Sequence, residues 1–197
     1  MSGSSSNYDS FKQLELSKIK SLLEVGVASG HTTNLILKDK NLKLDQFEGI
    51  DPHLPYDEKL NEDGMKSAKE KYLKIIENTI IKYHNDYSIN VLSKFVWKKK
   101  YFDCIIVDGC HMARYVFEDL ALSFNLLNKD GYLIIDDYWF YPTVKPNRDI
   151  CFNSFEETPI HRRCKEVIDV FLQAYEPKIR KIANKNKYTV IVQKISD

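Results

Sequence analysis

The chain has 197 residues, a length that suits one α/β domain with a buried core. Its 29 Lys and Arg residues nearly balance its 28 Asp and Glu residues, so charge favours neither nucleic acid nor an acidic membrane as a partner. The four cysteines have neither zinc-site nor disulfide-framework spacing, and without a transmembrane or signal-peptide pattern we expect a cytoplasmic protein. Residues 1–10 are polar and Ser-rich and are interpreted as a flexible leader, followed by a single domain over residues 11–197.

Strand and helix patterns alternate along this domain. The predicted helices are residues 11–21, 32–37, 67–79, 91–97, 115–127 and 167–175. The predicted strands are residues 22–27, 47–50, 80–83, 102–107, 132–135 and 188–193, with a turn at residues 129–131. This alternation predicts an α/β fold with a mostly parallel sheet and helices on both faces.

Acidic residues follow three of the predicted strands directly. Asp51 follows the second strand, Asp108 follows the fourth, and Asp136 and Asp137 follow the fifth. Ligands of parallel sheets bind beyond the carboxyl ends of the strands. We therefore expect a ligand site at the edge where these acids lie.

Residues 22–32 contain a strand, a tight turn and the start of a helix. Gly26 and Gly30 lie four positions apart, and the second glycine removes a side chain where a ligand could approach the backbone. A dinucleotide fingerprint would also need glycines where this chain has Ala28 and His31, so a pyrophosphate site is not indicated. The alternative is an ordinary strand-turn-helix whose glycines serve packing.

Glu24-x-Gly26-x-x-x-Gly30 resembles the first motif of class I S-adenosylmethionine-dependent methyltransferases. The resemblance implies that backbone N–H groups at the helix start hold the cofactor carboxylate, since a helix N-terminus favours anions. It implies that Glu24 orients the turn and attracts the positive end of the cofactor, and that Asp51 accepts hydrogen bonds from the ribose hydroxyls. The predicted cofactor contacts here are Glu24, Gly26, Ser29, Gly30, Thr32 and Asp51.

A second motif, Asp108-Gly109-Cys110-His111, follows the fourth strand. With the later helix, glycine turn and strand ending in two acids, it resembles the family that includes macrocin O-methyltransferase and related sugar O-methyltransferases. This resemblance extends over about residues 22–193 and implies a Rossmann-like class I methyltransferase fold with an antiparallel final strand. It also implies adenine contacts near Asp86 and Ser88 and a further cofactor contact at Asp108.

The family fold places the ends of the fourth and fifth strands side by side, which would bring Asp108, Asp136 and Asp137 together. Three carboxylates repel one another unless a cation is present, and an all-oxygen set suits Mg²⁺, Mn²⁺ or Ca²⁺. Catechol O-methyltransferase has a comparable arrangement of acids. His111, three residues after Asp108, is the predicted base for a cation-activated hydroxyl. The alternative is that the acids cap a loop and His111 caps a helix.

These features predict an S-adenosylmethionine-dependent O-methyltransferase assisted by Mg²⁺ or a similar cation. The expected acceptor is a hydroxyl group of a small molecule, a sugar or another polyhydroxylated compound, with no membrane or nucleic-acid partner. Two alternatives stay open: an RNA 2′-hydroxyl methyltransferase and a catalytically silent binding protein on the same fold. Residues 138–159 have no clear period and are interpreted as a lid. The oligomeric state is left open, with a homodimer among the options.

Overall fold

A twisted, mostly parallel sheet forms the centre of the computed structural model, which describes residues 6–28, 30–52, 79–138 and 164–197. Within these ranges the strands are β1 (Ser21–Val25), β2 (Gln46–Ile50), β3 (Ile80–His84), β4 (Phe102–Val107), β5 (Leu127–Ile135), β6 (Ile179–Ile182) and β7 (Val190–Lys194). Their order across the sheet is β3-β2-β1-β4-β5-β7-β6. Strands β1 to β5 pair in parallel and β7 is antiparallel to both of its neighbours, which confirms the predicted fold class and antiparallel final strand.

Helices cover both faces of this sheet. They are α1 (Ser6–Phe11), α2 (His31–Leu37), α3 (Ser88–Trp97), α4 (Ala113–Asn125) and α5 (Cys164–Ala174), with 3₁₀ turns at Leu16–Lys18 and Glu176–Lys178. None of the helices in the described ranges is long and apolar enough to cross a membrane.

Two apolar cores lie on opposite faces because successive strand residues point to opposite sides of the sheet. Leu23 of β1 packs in the core formed with α3, α4 and α5. Its neighbour Leu22 packs with α1 and α2, in the core that contains Phe11 and Ile36. Both β1 residues are fully buried, and each such side chain contributes roughly 1.5–3 kcal/mol of burial free energy. The sheet is therefore held from both sides, and its carboxyl edge is placed by rigid strands.

The predicted helix over residues 11–21 is wrong. The chain is helical earlier, in α1, which begins inside the predicted leader and buries Asn7 and Ser10. The apolar residues Leu14 and Ile19, which suggested a helix, are buried from turn and extended segments instead. This part of the leader therefore packs against the domain.

Two further differences concern the second half of the chain. Strand β6 was missed because it is a short edge strand in which Arg180 and Lys181 are exposed, so it has no apolar run. The predicted turn at residues 129–131 is an irregularity within β5, where Asp130 has a φ of 67°. Two predictions lie outside the described residues: the helix over residues 67–79, of which only residue 79 is described, and the lid beyond Tyr138.

Candidate functional site

The β1–α2 turn is folded tightly against the end of β4. Gly26 has a φ of 88°, Ala28 of 44°, and Gly30, the N-cap of α2, of 72°. A Cβ atom on Gly26 would lie 1.9 Å from the backbone carbonyl oxygen of Asp108. The packing of the turn therefore requires a glycine at position 26, as expected if the glycines of this segment serve packing. The contact of Gly26 with a cofactor stays a prediction.

Glu24 joins β1 to α2 beneath this turn. Its side chain is 1% exposed, and its carboxylate accepts a hydrogen bond from the Thr33 hydroxyl. Burial raises the pKa of Glu24 to about 8, Asp51 adds to the rise, and the Thr33 hydrogen bond opposes it. Thr33 was not predicted from the sequence. Of the predicted contacts near it, Thr32 is buried at the start of α2, whereas Ser29 lies outside the described residues.

Asp51 lies at the carboxyl end of β2 and turns back to the same turn. It is 5% exposed, and its carboxylate accepts a hydrogen bond of 2.6 Å from the backbone N–H of Ala28. Its own N–H donates to the carbonyl of His84 at the end of β3. Glu24, Gly26, Gly30 and Asp51 are thus brought together at one place.

The predicted adenine contacts have structural partners. Asp86 accepts hydrogen bonds of 2.8 Å from the Tyr87 N–H and the Asn90 amide, which cap the start of α3. The Asn90 and Tyr87 bonds lower the pKa of Asp86. Ser88 donates to Asp119 of α4, a buried acid whose pKa burial raises to about 6. The adenine role of Asp86 and Ser88 stays a prediction.

The ends of β4 and β5 bring the second group of acids together. Val107 and Ile135 are paired, and the Asp136 N–H donates to the Val107 carbonyl at 3.0 Å. Burial, followed by the charges of Asp136 and Asp137, raises the pKa of Asp108 well above its usual value. Burial and Asp137 also raise the pKa of Asp136 to about 6. The prediction that these three acids share one edge of the sheet is confirmed.

His111 faces this group from the loop before α4. Its Nδ1 lies 2.9 Å from Asp137 Oδ2, and Asp137 adopts a left-handed conformation with a φ of 59°. One donor atom each from Asp108, His111 and Asp137 lies within 4.8 Å of the others. A non-glycine residue held at positive φ is strained, and such strain is frequent at functional sites. The thiol of Cys164 donates to the His111 carbonyl at 2.9 Å and so fixes the loop.

Asp136 was predicted to bind a metal together with Asp108 and Asp137, but in the structure its carboxylate contacts the N-terminal helix α1. It accepts hydrogen bonds from the Ser6 hydroxyl at 3.3 Å and from the Asn7 amide at 3.0 Å. The same Asn7 nitrogen donates to Asp108 Oδ2 at 2.7 Å. No sequence signal pointed to Ser6 or Asn7, because both lie in the polar stretch interpreted as a leader. The role of Asp136 as a metal ligand stays a prediction.

The donor atoms of Asp108, His111 and Asp137 are of the types that divalent cations bind. Two carboxylates and an imidazole suit Mg²⁺ or Mn²⁺ with water or substrate oxygens completing the set. In the described part of the chain, no Lys or Arg forms an ion pair with Asp108, Asp136 or Asp137. The chemistry of the site therefore fits a cation.

Comparison with known proteins gives one family match and one curated relative. Residues 23–138 match the family model described as a methyltransferase domain. An uncharacterized protein, R132 of Acanthamoeba polyphaga mimivirus, is 26% identical over 137 residues, which is 63% of this chain and 55% of that protein. This chain thus spans about half the length of the curated relative.

Solved structures with a similar fold include three methyltransferases. An O-methyltransferase from Bacillus cereus in complex with SAH superposes with a TM-score of 0.63 at 15% identity, over 98% of this chain and 83% of that one. The methyltransferase PaMTH1 of Podospora anserina, also bound to SAH, has a TM-score of 0.61 at 18% identity, and the match covers 100% of this chain and 81% of that one. MycE, a methyltransferase from the mycinamycin biosynthetic pathway, is in complex with Mg and SAH. Its TM-score is 0.54 at 17% identity, and the match covers 95% of this chain and 47% of that one.

The packing of Gly26 leads to a prediction about stability. We expect Gly26→Ala to lower the free energy of unfolding by more than about 3 kcal/mol, because the new Cβ meets backbone at a strained φ. Gly109→Ala is the matched control, since its Cβ would meet only the Asp119 carboxylate at 3.2 Å and Val25 beyond it, and we expect about 1 kcal/mol or less. Urea unfolding measures both variants. Equal losses would contradict the close approach to β4.

The raised pKa of Glu24 leads to a prediction about pH. A carboxyl group whose pKa rises on folding, here from 4.5 to about 8, destabilises the fold progressively as pH increases between those values. The unaltered protein should therefore lose stability relative to Glu24→Gln from about pH 4.5 to pH 8, by up to about 1.4 kcal/mol per pH unit. Urea unfolding of both proteins across this pH range measures the difference. Parallel curves would show that Glu24 stays ionised in the fold.

Proposed function

This chain belongs to the methyltransferase-domain family and has the fold of class I S-adenosylmethionine-dependent methyltransferases, and we propose that it methylates a hydroxyl group of a small molecule with the help of a divalent cation. The observation that carries the proposal is the group formed by Asp108, His111 and Asp137 beside the glycine turn. The glycine turn suits a cofactor, and the neighbouring group suits hydroxyl chemistry.

The cofactor would lie over the turn at the carboxyl ends of β1 and β2. When bound, S-adenosylmethionine supplies an electrophilic methyl group on a sulfonium centre. Asp51, which already faces the turn through the Ala28 N–H, would accept hydrogen bonds from the ribose hydroxyls. The N-terminus of α2 would attract the carboxylate of the amino-acid tail. Asp108, Asp136 and Asp137 lie beyond the turn, where a cationic ligand would favour their charged forms.

The acceptor would bind beside Asp108, His111 and Asp137. A divalent cation held by Asp108, Asp136 and Asp137 would act as a Lewis acid that makes a hydroxyl proton easier to remove. Asp137 Oδ2 lies 2.9 Å from Nδ1 of His111, so we expect Nε2 to be the nitrogen that accepts that proton. This pairing of a base with an acid that orients it recurs in proton-transfer sites.

The acceptor class rests on the chemistry of the site and on the family resemblance. We propose a sugar or another polyhydroxylated compound, because adjacent hydroxyls can approach a cation and a base together. RNA is disfavoured as acceptor because the net charge is only +1. The cytoplasmic location stays a prediction, and the oligomeric state stays open.

The first functional prediction concerns the cofactor. We expect the protein to bind S-adenosylhomocysteine in calorimetry and to show no comparable binding of NAD. Asp51→Ala should weaken S-adenosylhomocysteine binding about tenfold or more, since charge-assisted hydrogen bonds to the ribose would be lost. Asp45→Ala is the matched control, because Asp45 is exposed at the opposite end of β2. Equal affinities of the two variants would remove Asp51 from the cofactor site.

The second functional prediction concerns the cation and the base. Transfer of labelled methyl to a panel of sugars and catechols should stop in excess chelator and return with Mg²⁺ or Mn²⁺. His111→Ala should lower turnover by roughly 10²–10⁴-fold, the usual contribution of a general base, with cation affinity unchanged. A parallel loss of Mn²⁺ affinity would instead make His111 a ligand. Full activity in chelator would refute the cation part of the proposal.

A further inference from the structure

Asn7, on the N-terminal helix α1, joins the two strand ends of the candidate active site. Its side chain is 1% exposed. The amide nitrogen lies 2.7 Å from Asp108 Oδ2 at the end of β4 and 3.0 Å from Asp136 Oδ2 at the end of β5. An asparagine amide has two N–H groups and no charge, so one Asn7 side chain can donate to both carboxylates at once. Its carbonyl oxygen has no hydrogen-bond partner among the described residues.

A separate polar network fixes α1 in this position. At the far end of the helix, Ser10 hydrogen-bonds Thr189, and the Asn184 amide donates to Ser10 Oγ at 3.1 Å. At the near end, the Asn186 amide donates to the Ser6 carbonyl at 3.1 Å. All three partners belong to the loop between β6 and β7. The helix is therefore docked by contacts that do not involve Asn7, and the Asn7 amide is available for the acids alone.

The two carboxylates need such a donor. Asp108 and Asp136 are adjacent and half-buried, and each raises the cost of charge on the other. Without a donor between them, repulsion would turn the side chains apart, and Asp108 would lose its orientation toward His111 and Asp137. The Asn7 amide bonds one oxygen of Asp108 and holds Asp136 against the helix, which fixes both carboxylates in one arrangement.

We propose that Asn7 is a positioning residue of the active site, which holds the Asp108 and Asp136 carboxylates in the arrangement that a divalent cation and the acceptor hydroxyl require. This inference rests on the proposed function, because the proposed cation and acceptor hydroxyl are what require a fixed orientation of Asp108. It also assigns α1 to the site, although α1 is more than 90 residues away from Asp108 and Asp136 in sequence. Groups that orient the ligands of a metal commonly change metal affinity about 10–100-fold when they are removed.

The test measures Mn²⁺ binding by calorimetry in the full chain. Asn7→Leu keeps the branched shape of asparagine but is larger and has no donor, and it should weaken Mn²⁺ binding roughly 10–100-fold while S-adenosylhomocysteine affinity changes less than about threefold. Asn186→Ala is the matched control, because it removes a docking contact of α1 and leaves the Asn7 amide in place. We expect it to bind Mn²⁺ like the unaltered protein. Asn7→Ala replaces Asn7→Leu if the larger side chain prevents folding, as judged by thermal unfolding.

Each other outcome overturns the inference in a distinguishable way. Unchanged Mn²⁺ affinity in Asn7→Leu would show that the amide does not position the acids. Tighter binding would show that it competes with the cation. An equal loss in Asn186→Ala would assign the effect to helix docking. If the unaltered protein binds no Mn²⁺, the cation part of the proposed function fails together with this inference, whereas S-adenosylhomocysteine binding still tests the cofactor part.

Discussion

Buried carboxylates at one edge of the sheet impose the main constraint on this structure. A buried acid without a hydrogen-bond donor or an opposite charge is strongly destabilising, so every acid at this edge needs a partner. The partners come from different elements of the chain. The pairs are Glu24 with Thr33, Asp51 with the Ala28 N–H, Asp108 and Asp136 with Asn7, Asp137 with His111, and Asp119 with Ser88. The carboxyl edge is thus where distant parts of the chain are joined by polar contacts.

A different buried acid shows how the candidate site departs from a purely structural one. Glu48 of β2 is fully buried, and it is compensated by two basic side chains, His84 at 2.9 Å and Lys100. Asp108 and Asp136 have only neutral donors from the described residues, and burial together with neighbouring acids raises their pKa values. The charged forms of these two acids are therefore costly, and a positive group at this edge of the sheet would lower the cost. A metal ion or a sulfonium cofactor, as proposed for this protein, is a positive group of this kind.

The glycine turn and the acid cluster depend on each other. Gly26 passes so close to the Asp108 carbonyl that no side chain fits between them, which brings β1 and β4 into contact at their carboxyl ends. The order of the strands reverses between β1 and β4, and open α/β sheets bind ligands at that position. The glycine turn and the acid cluster therefore meet because of the topology, and the close packing at Gly26 sets their separation.

Much of the fold could be predicted because apolar strands and glycine turns are local signals. The five apolar residues of β4 and the motif from Glu24 to Gly30 indicated a parallel sheet with its ligand site at the carboxyl edge, and the structure confirms both the sheet and the gathering of the acids. Strand β6 escaped prediction because an exposed edge strand needs no apolar run.

The sequence by itself determined the strands of the sheet other than β6 and the acids that end them, since burial and strand periodicity act over a few residues. Only the tertiary structure decided which donor meets each acid. Asn7 contacts Asp108 across 101 residues of sequence, and Thr33 reaches Glu24 only because α2 folds back over β1. Hydrogen bonds of this kind depend on distances between elements, and no local pattern of residue types encodes those distances.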